Sequence, residues 1–273
     1  MDTTFLFVPG NNEKKLGKID KYPIDVIIID LEDAVVVEEK KEARALVYNF
    51  LKERNNTTKN LKIYIRINAL TTQWFFDDIN MINKLKHIDG IMIPKCENQT
   101  PIDLSTELLN SDLEILPLIE TANGVNNTNL ILNHPAVTRV AFGSVDFALD
   151  IGVNWSEEGI ERLYAMNKIV LDSKLQGALP PIDAVFPLIN NKENFLKDAH
   201  KGKQIGFTGK LLIHPQQIEW VNDVYKPTDD QLDWCNRVIA LYENTQNKGA
   251  THIDGKLIDR PIYLLAKRLI SMG

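Results

Sequence analysis

The chain has 273 residues, 44% of them hydrophobic and 25% charged, with a formal net charge of −6. That balance belongs to a globular protein large enough for one barrel-sized domain or two smaller ones. The acidic charge and the lack of a long basic run exclude nucleic acid as an expected partner, and no apolar stretch approaches a membrane span. The cysteines, Cys96 and Cys235, lie far apart with no metal-ligand spacing, which fits free thiols in a reducing cytosol. No signal-peptide pattern opens the sequence.

In chain order, residues 4–8 read as a short apolar strand, broken by Pro9-Gly10-Asn11-Asn12, where Asn11 or Asn12 caps a following helix. The helix region carries Lys14, Lys15, Lys18 and Lys21, either a solvated face or a landing place for a phosphate-bearing ligand. Residues 24–31 (IDVIIIDL) form the most apolar run, β-branched and non-alternating, the pattern of a parallel strand buried on both faces. Asp30, Glu32 and Asp33 stand at its end. An amphipathic helix follows over 38–54, then a polar loop at 55–60 and a strand at 61–67 ending in Arg66 and Asn68. Residues 71–85 read as a helix, 90–94 as a strand followed by Lys95, and 101–110 as a helix with Pro near its start.

Two further apolar runs, 115–119 and 137–142, are short strands separated by a helix-like segment at 124–133. Glu120 follows the first, and Asp146 stands just past Gly143-Ser144 after the second. A helix over 157–175, a strand at 182–186 ending at Pro187, a helix at 191–203, a strand within 206–213 and a helix at 216–225 complete the series. A strand and a helix thus alternate eight times, which implies a parallel sheet with right-handed crossovers. That length fits a closed (β/α)8 TIM barrel over 1–225 better than an open sheet, whose Gly-rich phosphate loop is absent after the first strand. Residues 226–273 depart from the pattern. A helix to about 243, a Gly-containing loop at 247–256 and a last helix from Arg260-Pro261 read as a C-terminal helical appendage, a lid or subunit-docking segment.

In such a barrel the strand ends meet at one rim. They carry Glu32, Asp33, Arg66, Lys95, Glu120, Asp146 and the Lys210/His214 region. Glu120 and Asp146 are either caps of the helices that follow or two oxygen ligands of one hard cation, Mg²⁺ rather than Zn²⁺. An ion held by two carboxylates keeps positions open for water and substrate oxygens, and Arg66 suits a substrate carboxylate. The residues alone thus reach a metal-dependent barrel enzyme for a small oxo or hydroxy acid.

Eight stretches carry a resemblance: LFVPGN (6–11), DLEDAV (30–35), RINAL (66–70), IMIPK (91–95), LIET (118–121), FGSVDFALDIG (142–152), GFTGKLLIHPQQI (206–218) and GKLIDRP (255–261). Together they resemble the citrate lyase β-subunit-like family of the HpcH/HpaI aldolase superfamily, closest to its citramalyl-CoA/malyl-CoA lyase type. The resemblance implies a Mg²⁺-dependent carbon–carbon lyase cleaving a 3-hydroxy-acyl-CoA to acetyl-CoA and a 2-oxo acid. It implies Glu120 and Asp146 as metal ligands, Arg66 as the holder of the oxo-acid carboxylate, and Glu32 and Asp33 as acids ordering water around the metal. Phe7, Lys14 and Lys18 match residues at the substrate and CoA site. Asp259 matches an acid–base residue donated across a homotrimer interface. Two other readings stay open: a citrate lyase β subunit acting on an acyl-carrier thioester, and a non-catalytic barrel that binds CoA esters. The chain has Tyr164-Ala165-Met166 where the family often places an arginine last, and Thr3-Thr4 where an arginine commonly precedes the first strand.

Overall fold

Short runs of branched apolar residues, each closed by a polar turn, set the architecture. The structure, a computed structural model, describes residues 1–54, 61–244 and 251–270. The loop expected at 55–60 and the first part of that expected at 247–256 lie outside the described residues. The chain divides into two compact units, Asp2–Asn222 and Asp223–Gly273, Met1 grouping with the second.

The first unit is an α/β barrel. Its parallel strands are β1 (Thr4–Pro9), β2 (Val26–Asp30), β3 (Lys62–Arg66), β4 (Gly90–Ile93), β5 (Glu114–Ile119), β6 (Ala141–Phe142) and β7 (Lys210–Leu212), in the order β6-β5-β4-β3-β2-β1-β7. Helices including Lys40–Glu53, Phe75–Ile82, Thr100–Leu108, Leu163–Leu175 and Lys192–Ile205 connect them. Every residue of β2 is buried, as a strand with helices outside and a filled barrel inside requires.

The strand expected at 182–186 is not continuous. It is reduced to two bridges, Ala141 to Ile182 and Asp183 to Lys210. Pro180 and Pro181 before it and Pro187 after it lack the N–H a ladder needs. The bridges still close the ring: Phe142 N–H donates to the Ile182 carbonyl at 2.9 Å and Leu211 N–H to that of Asp183 at 2.8 Å.

Side chains of alternate residues fill the interior, as the period of two dictates. Phe5, Val26, Ile28, Tyr64, Met92, Leu116, Leu118, Ala141, Ile182 and Leu211 form one cluster, with Phe7 and Val185 packed against it. Continuing the same parity one step along the strands gives Asp30 after Ile28, Arg66 after Tyr64 and Glu120 after Leu118. The chemistry therefore stands on top of the apolar plug by strand register alone.

Lys210, expected at the rim, is not there. Its parity is opposite to that of Leu211, and its ammonium is fully buried under helix Lys192–Ile205, 2.6 Å from Asp183 and 2.7 Å from Asp198. Asp198 also receives Arg162 at 2.9 Å. Here a cation is buried with two partners and ties the helix layer to the barrel wall.

In the second unit, helices Asp229–Asn244 and Arg260–Ile270 flank a hairpin of β8 (Thr251–Ile253) and β9 (Lys256–Ile258). Its two-residue turn, Asp254-Gly255, has φ of 50° and 75°, the positive pair that Asp-Gly supplies to a type I′ hairpin. Tyr242 and Tyr263 stack at 4.5 Å above an apolar cluster of Cys235, Val238, Ile253, Ile258 and Ala266.

Candidate active site

A cavity of about 400 Å³ opens at the C-terminal ends of the barrel strands. Phe7, Leu118, Phe142, Val185 and Leu211 contribute apolar walls, and Asp30, Asp33, Arg66, Glu120 and Asp146 contribute charge. This is the face where parallel α/β barrels carry their chemistry.

Arg66 lines it and is buried, with its guanidinium carbon 4.7 Å from the centre of the Phe7 ring. Nε donates to Asp30 Oδ1 at 2.8 Å and Nη2 to Asp30 Oδ2 at 2.6 Å. Nη1 lies 3.2 Å from Glu32 Oε2 and 3.5 Å from Asp33 Oδ2. Burial alone would lower the Arg66 pKa, but Asp30, Glu32 and Asp33 outweigh it and hold the charge more firmly than usual. One edge of the guanidinium, Nε with Nη2, is therefore taken up by Asp30. The edge bearing Nη1 is what remains for a ligand.

Asp30 also organises the loop after β2. Its Oδ1 accepts the Glu32 N–H at 2.9 Å and its Oδ2 the Ala34 N–H at 3.1 Å. Lys40, buried at the start of helix Lys40–Glu53, supports the loop from beneath. Its ammonium donates to the carbonyls of Leu31 at 2.7 Å and Glu32 at 2.6 Å. Burial pulls the Lys40 pKa down from the ordinary lysine value. Sequence reasoning names Asp30 at the end of its strand but gives it no role, and it does not name Lys40. Parity along β2 was the available signal for Asp30; nothing in sequence ties Lys40 to two carbonyls eight and nine positions earlier.

Glu120 is 1% exposed. Its Oε1 accepts the Lys95 backbone N–H at 2.7 Å. It does not cap the helix that follows, because Thr121 does: its hydroxyl accepts the Gly124 N–H at 3.0 Å. Burial, and then the charge of Asp146, push the Glu120 carboxyl up to about 8. Asp146 sits in the first turn of helix Ser144–Asp150, whose N-cap position is Gly143 with no side-chain cap bond. A Cβ on Gly143 would stand 2.6 Å from both Cβ and Oε2 of Glu120, so glycine is what lets β6 pass the carboxylate.

Glu32 is buried, and its Oε1 accepts from the Lys95 ammonium. Burial raises its pKa against the pull of Arg66 and Lys95. Lys14 and Lys18 are exposed; neighbouring Lys15 lines the cavity. They belong to the segment around helix Glu13–Leu16, which Asn12 caps by accepting the Lys15 N–H at 3.0 Å. Asp259 belongs to the second unit, where its Oδ1 accepts the Ile262 N–H at 3.2 Å at the start of the last helix. Met166, in the triplet that often carries arginine, is buried.

Among the described residues, no three His, Cys, Asp or Glu side chains converge on one point. Of the carboxylates lining the cavity, Asp30 and Asp33 are paired with Arg66, whereas Glu120 and Asp146 lie close enough for the charge of one to raise the other. Both are hard oxygen donors, one destabilised as an anion by the other, an arrangement that a divalent cation relieves.

The model of the HpcH/HpaI aldolase/citrate lyase family matches residues 3–215. The citrate lyase subunit beta of Leuconostoc mesenteroides subsp. cremoris is 34% identical over 99% of this chain and 92% of its own. A (3S)-malyl-CoA thioesterase of Cereibacter sphaeroides is 30% identical over 97% of this chain and 92% of its own. The human mitochondrial citramalyl-CoA lyase is 30% identical over 98% of this chain and 84% of its own. In fold, the chain is similar to the CitE protein of Mycobacterium tuberculosis, solved with magnesium, acetoacetate and coenzyme A: TM-score 0.84 and 24% identity over 99% of this chain and 97% of that one. With the match running from the first strand to the turn after the last, this chain belongs to the HpcH/HpaI aldolase/citrate lyase family.

Proposed function

We propose that the chain is a Mg²⁺-dependent carbon–carbon lyase that cleaves a 3-hydroxy-acyl-CoA of the citramalyl-CoA or malyl-CoA type to acetyl-CoA and a 2-oxo acid. The observation that carries it is the Glu120–Asp146 pair, set beside Arg66 on the inner face of the rim and above an apolar floor. In this reading Glu120 and Asp146 hold Mg²⁺, which when bound supplies a Lewis acid for the hydroxyl and carboxylate of the substrate. The Nη1 edge of Arg66 faces the substrate carboxylate, and Asp30 keeps the guanidinium in plane for it. Phe7 and the lysines at 14, 15 and 18 lie on the CoA side.

In the cleavage the hydroxyl gives up its proton to solvent, the oxygen's electron pair closes the carbonyl of the 2-oxo acid, and the carbon–carbon bond breaks with its pair passing to the thioester as the acetyl-CoA enolate. Asp259 of a neighbouring copy in a homotrimer protonates the enolate carbon; in the reverse direction it removes the methyl proton. Among the described residues no helix is long and apolar enough to cross a membrane.

The test is a coupled assay with citramalyl-CoA and malyl-CoA, with Mg²⁺ and with EDTA. Mg²⁺-dependent release of acetyl-CoA and an oxo acid supports the reading. Release of free CoA and an intact hydroxy acid would instead make the chain a thioesterase, the activity named for one relative. Turnover only of an acyl-carrier thioester would make it a citrate lyase β subunit, which the 34% identical relative favours. Binding of CoA esters without turnover would leave a non-catalytic barrel.

A further inference from the structure

Lys95 joins the two halves of the acidic rim. It follows β4 after Pro94, and its backbone is left-handed, with φ of 48°, a conformation that costs a residue with a side chain some stability. In that turn its N–H reaches Glu120 Oε1, at the end of β5, at 2.7 Å. Its ammonium points the other way, to Glu32 Oε1 in the loop after β2, with Asp33 Oδ1 at 3.9 Å. Glu32 thus lies between two cations, Lys95 on one oxygen and Arg66 on the other. The two cations are not equivalent. Arg66 is buried and bidentate to Asp30, whereas the Lys95 side chain keeps 41% of its surface open to solvent.

We propose that Lys95 is a positioning residue that sets the charge balance of this rim. Its strained backbone aims an N–H at Glu120, and its ammonium offsets Glu32 and Asp33 so that an anionic oxo acid is accepted beside the Glu120–Asp146 pair. The inference rests on the Mg²⁺-dependent reading above. It has a signature that simple structural support lacks. Taking a positive charge from an acidic rim improves it as a cation site and worsens it as an anion site, while distortion weakens both.

The experiment is calorimetric titration of the full-length protein with Mg²⁺, and with pyruvate at saturating Mg²⁺, thermal midpoints being recorded alongside. In Lys95→Met, Mg²⁺ should bind about three- to tenfold more tightly and pyruvate about tenfold more weakly, the scale of one nearby unit charge at a half-exposed site. Lys95→Gly, which relieves the left-handed strain and also removes the charge, should behave in the same way. Lys95→Arg should keep both affinities within about twofold. If wild type binds both ligands and the two affinities fall together in Lys95→Met and Lys95→Gly, or neither moves, the role of Lys95 is overturned and the lyase reading stands. If wild type binds neither Mg²⁺ nor pyruvate, both are overturned.

Discussion

Asp30 and Arg66 face each other in register on adjacent parallel strands, and the guanidinium closes on the carboxylate through two hydrogen bonds of 2.8 and 2.6 Å. The same carboxylate holds the N–H groups of Glu32 and Ala34, so one side chain fixes both the arginine and the acidic loop. Asp30→Asn should leave a buried guanidinium without its bidentate charge partner, only Glu32 and Asp33 remaining on its other edge, and cost about 3 kcal/mol. Pairing it with Arg66→Met should recover part of that loss. Denaturant midpoints of the two single variants and the double variant measure the coupling, and additive losses would show that the pair is not a unit.

Glu120 gives the protein a pH dependence of known sign. Its carboxyl stands at about 8 in the fold against an ordinary value of 4.5. Between those two values the folded chain keeps a proton that the unfolded chain has released. Metal-free stability should therefore fall as pH rises from about 5 to 8, by at most about 1.4 kcal/mol per unit. Thermal midpoints in EDTA across that window should show the slope, and Glu120→Gln should flatten it. Mg²⁺ should restore stability most at the alkaline end, where protons compete least for the carboxylate.

Removal of either proposed metal ligand should separate folding from binding. Glu120→Ala and Asp146→Ala should lose Mg²⁺ binding and cleavage while retaining the wild-type circular dichroism spectrum. Full Mg²⁺-dependent cleavage in either variant would remove the metal assignment. Gly143→Ala makes the same point from the neighbouring strand. A Cβ placed 2.6 Å from the Glu120 carboxylate must displace it. We expect weaker Mg²⁺ binding and a loss of about 1–3 kcal/mol; wild-type values for both would show that the strand shifts at no cost.

Asp259 has a structural duty and a proposed chemical one, and asparagine separates them. Asn accepts an N-cap hydrogen bond about as well as Asp, so Asp259→Asn should leave the last helix and the thermal midpoint intact. As Asn has no acidic proton to give, kcat should drop at least tenfold with little change in KM. A change confined to KM would assign Asp259 to binding alone.

Much of this was legible in the sequence because it depends on local pattern. Branched apolar runs of four to six residues with helical segments between them specify a parallel barrel, and the period of two places the residue after each run at one rim. Glu120, Arg66 and the Glu32-Asp33 pair are readable in this way, and the D-G turn of β8–β9 carries its own local signal. The family resemblance was carried by the same strand-end residues.

Other features depend on contacts between segments far apart in the chain, which local periodicity does not encode. The strand expected at 182–186 shrank to two bridges because prolines flank it, although its apolar run is as strong as the others. Lys210 left the rim because its parity turned it outward onto Asp183 and Asp198. That Arg66 is committed to Asp30, that Thr121 rather than Glu120 caps its helix, and that Lys95 bends left-handed to reach Glu120 all follow from closing the barrel. Closure brings strand ends from separate parts of the chain within hydrogen-bond range, where buried polar atoms must find partners. By itself the sequence determined that Glu32, Asp33, Arg66, Glu120 and Asp146 stand at the rim; the tertiary structure removed Lys210 from it and decided which carboxylate each cation neutralises and which carboxylates were left to face one another.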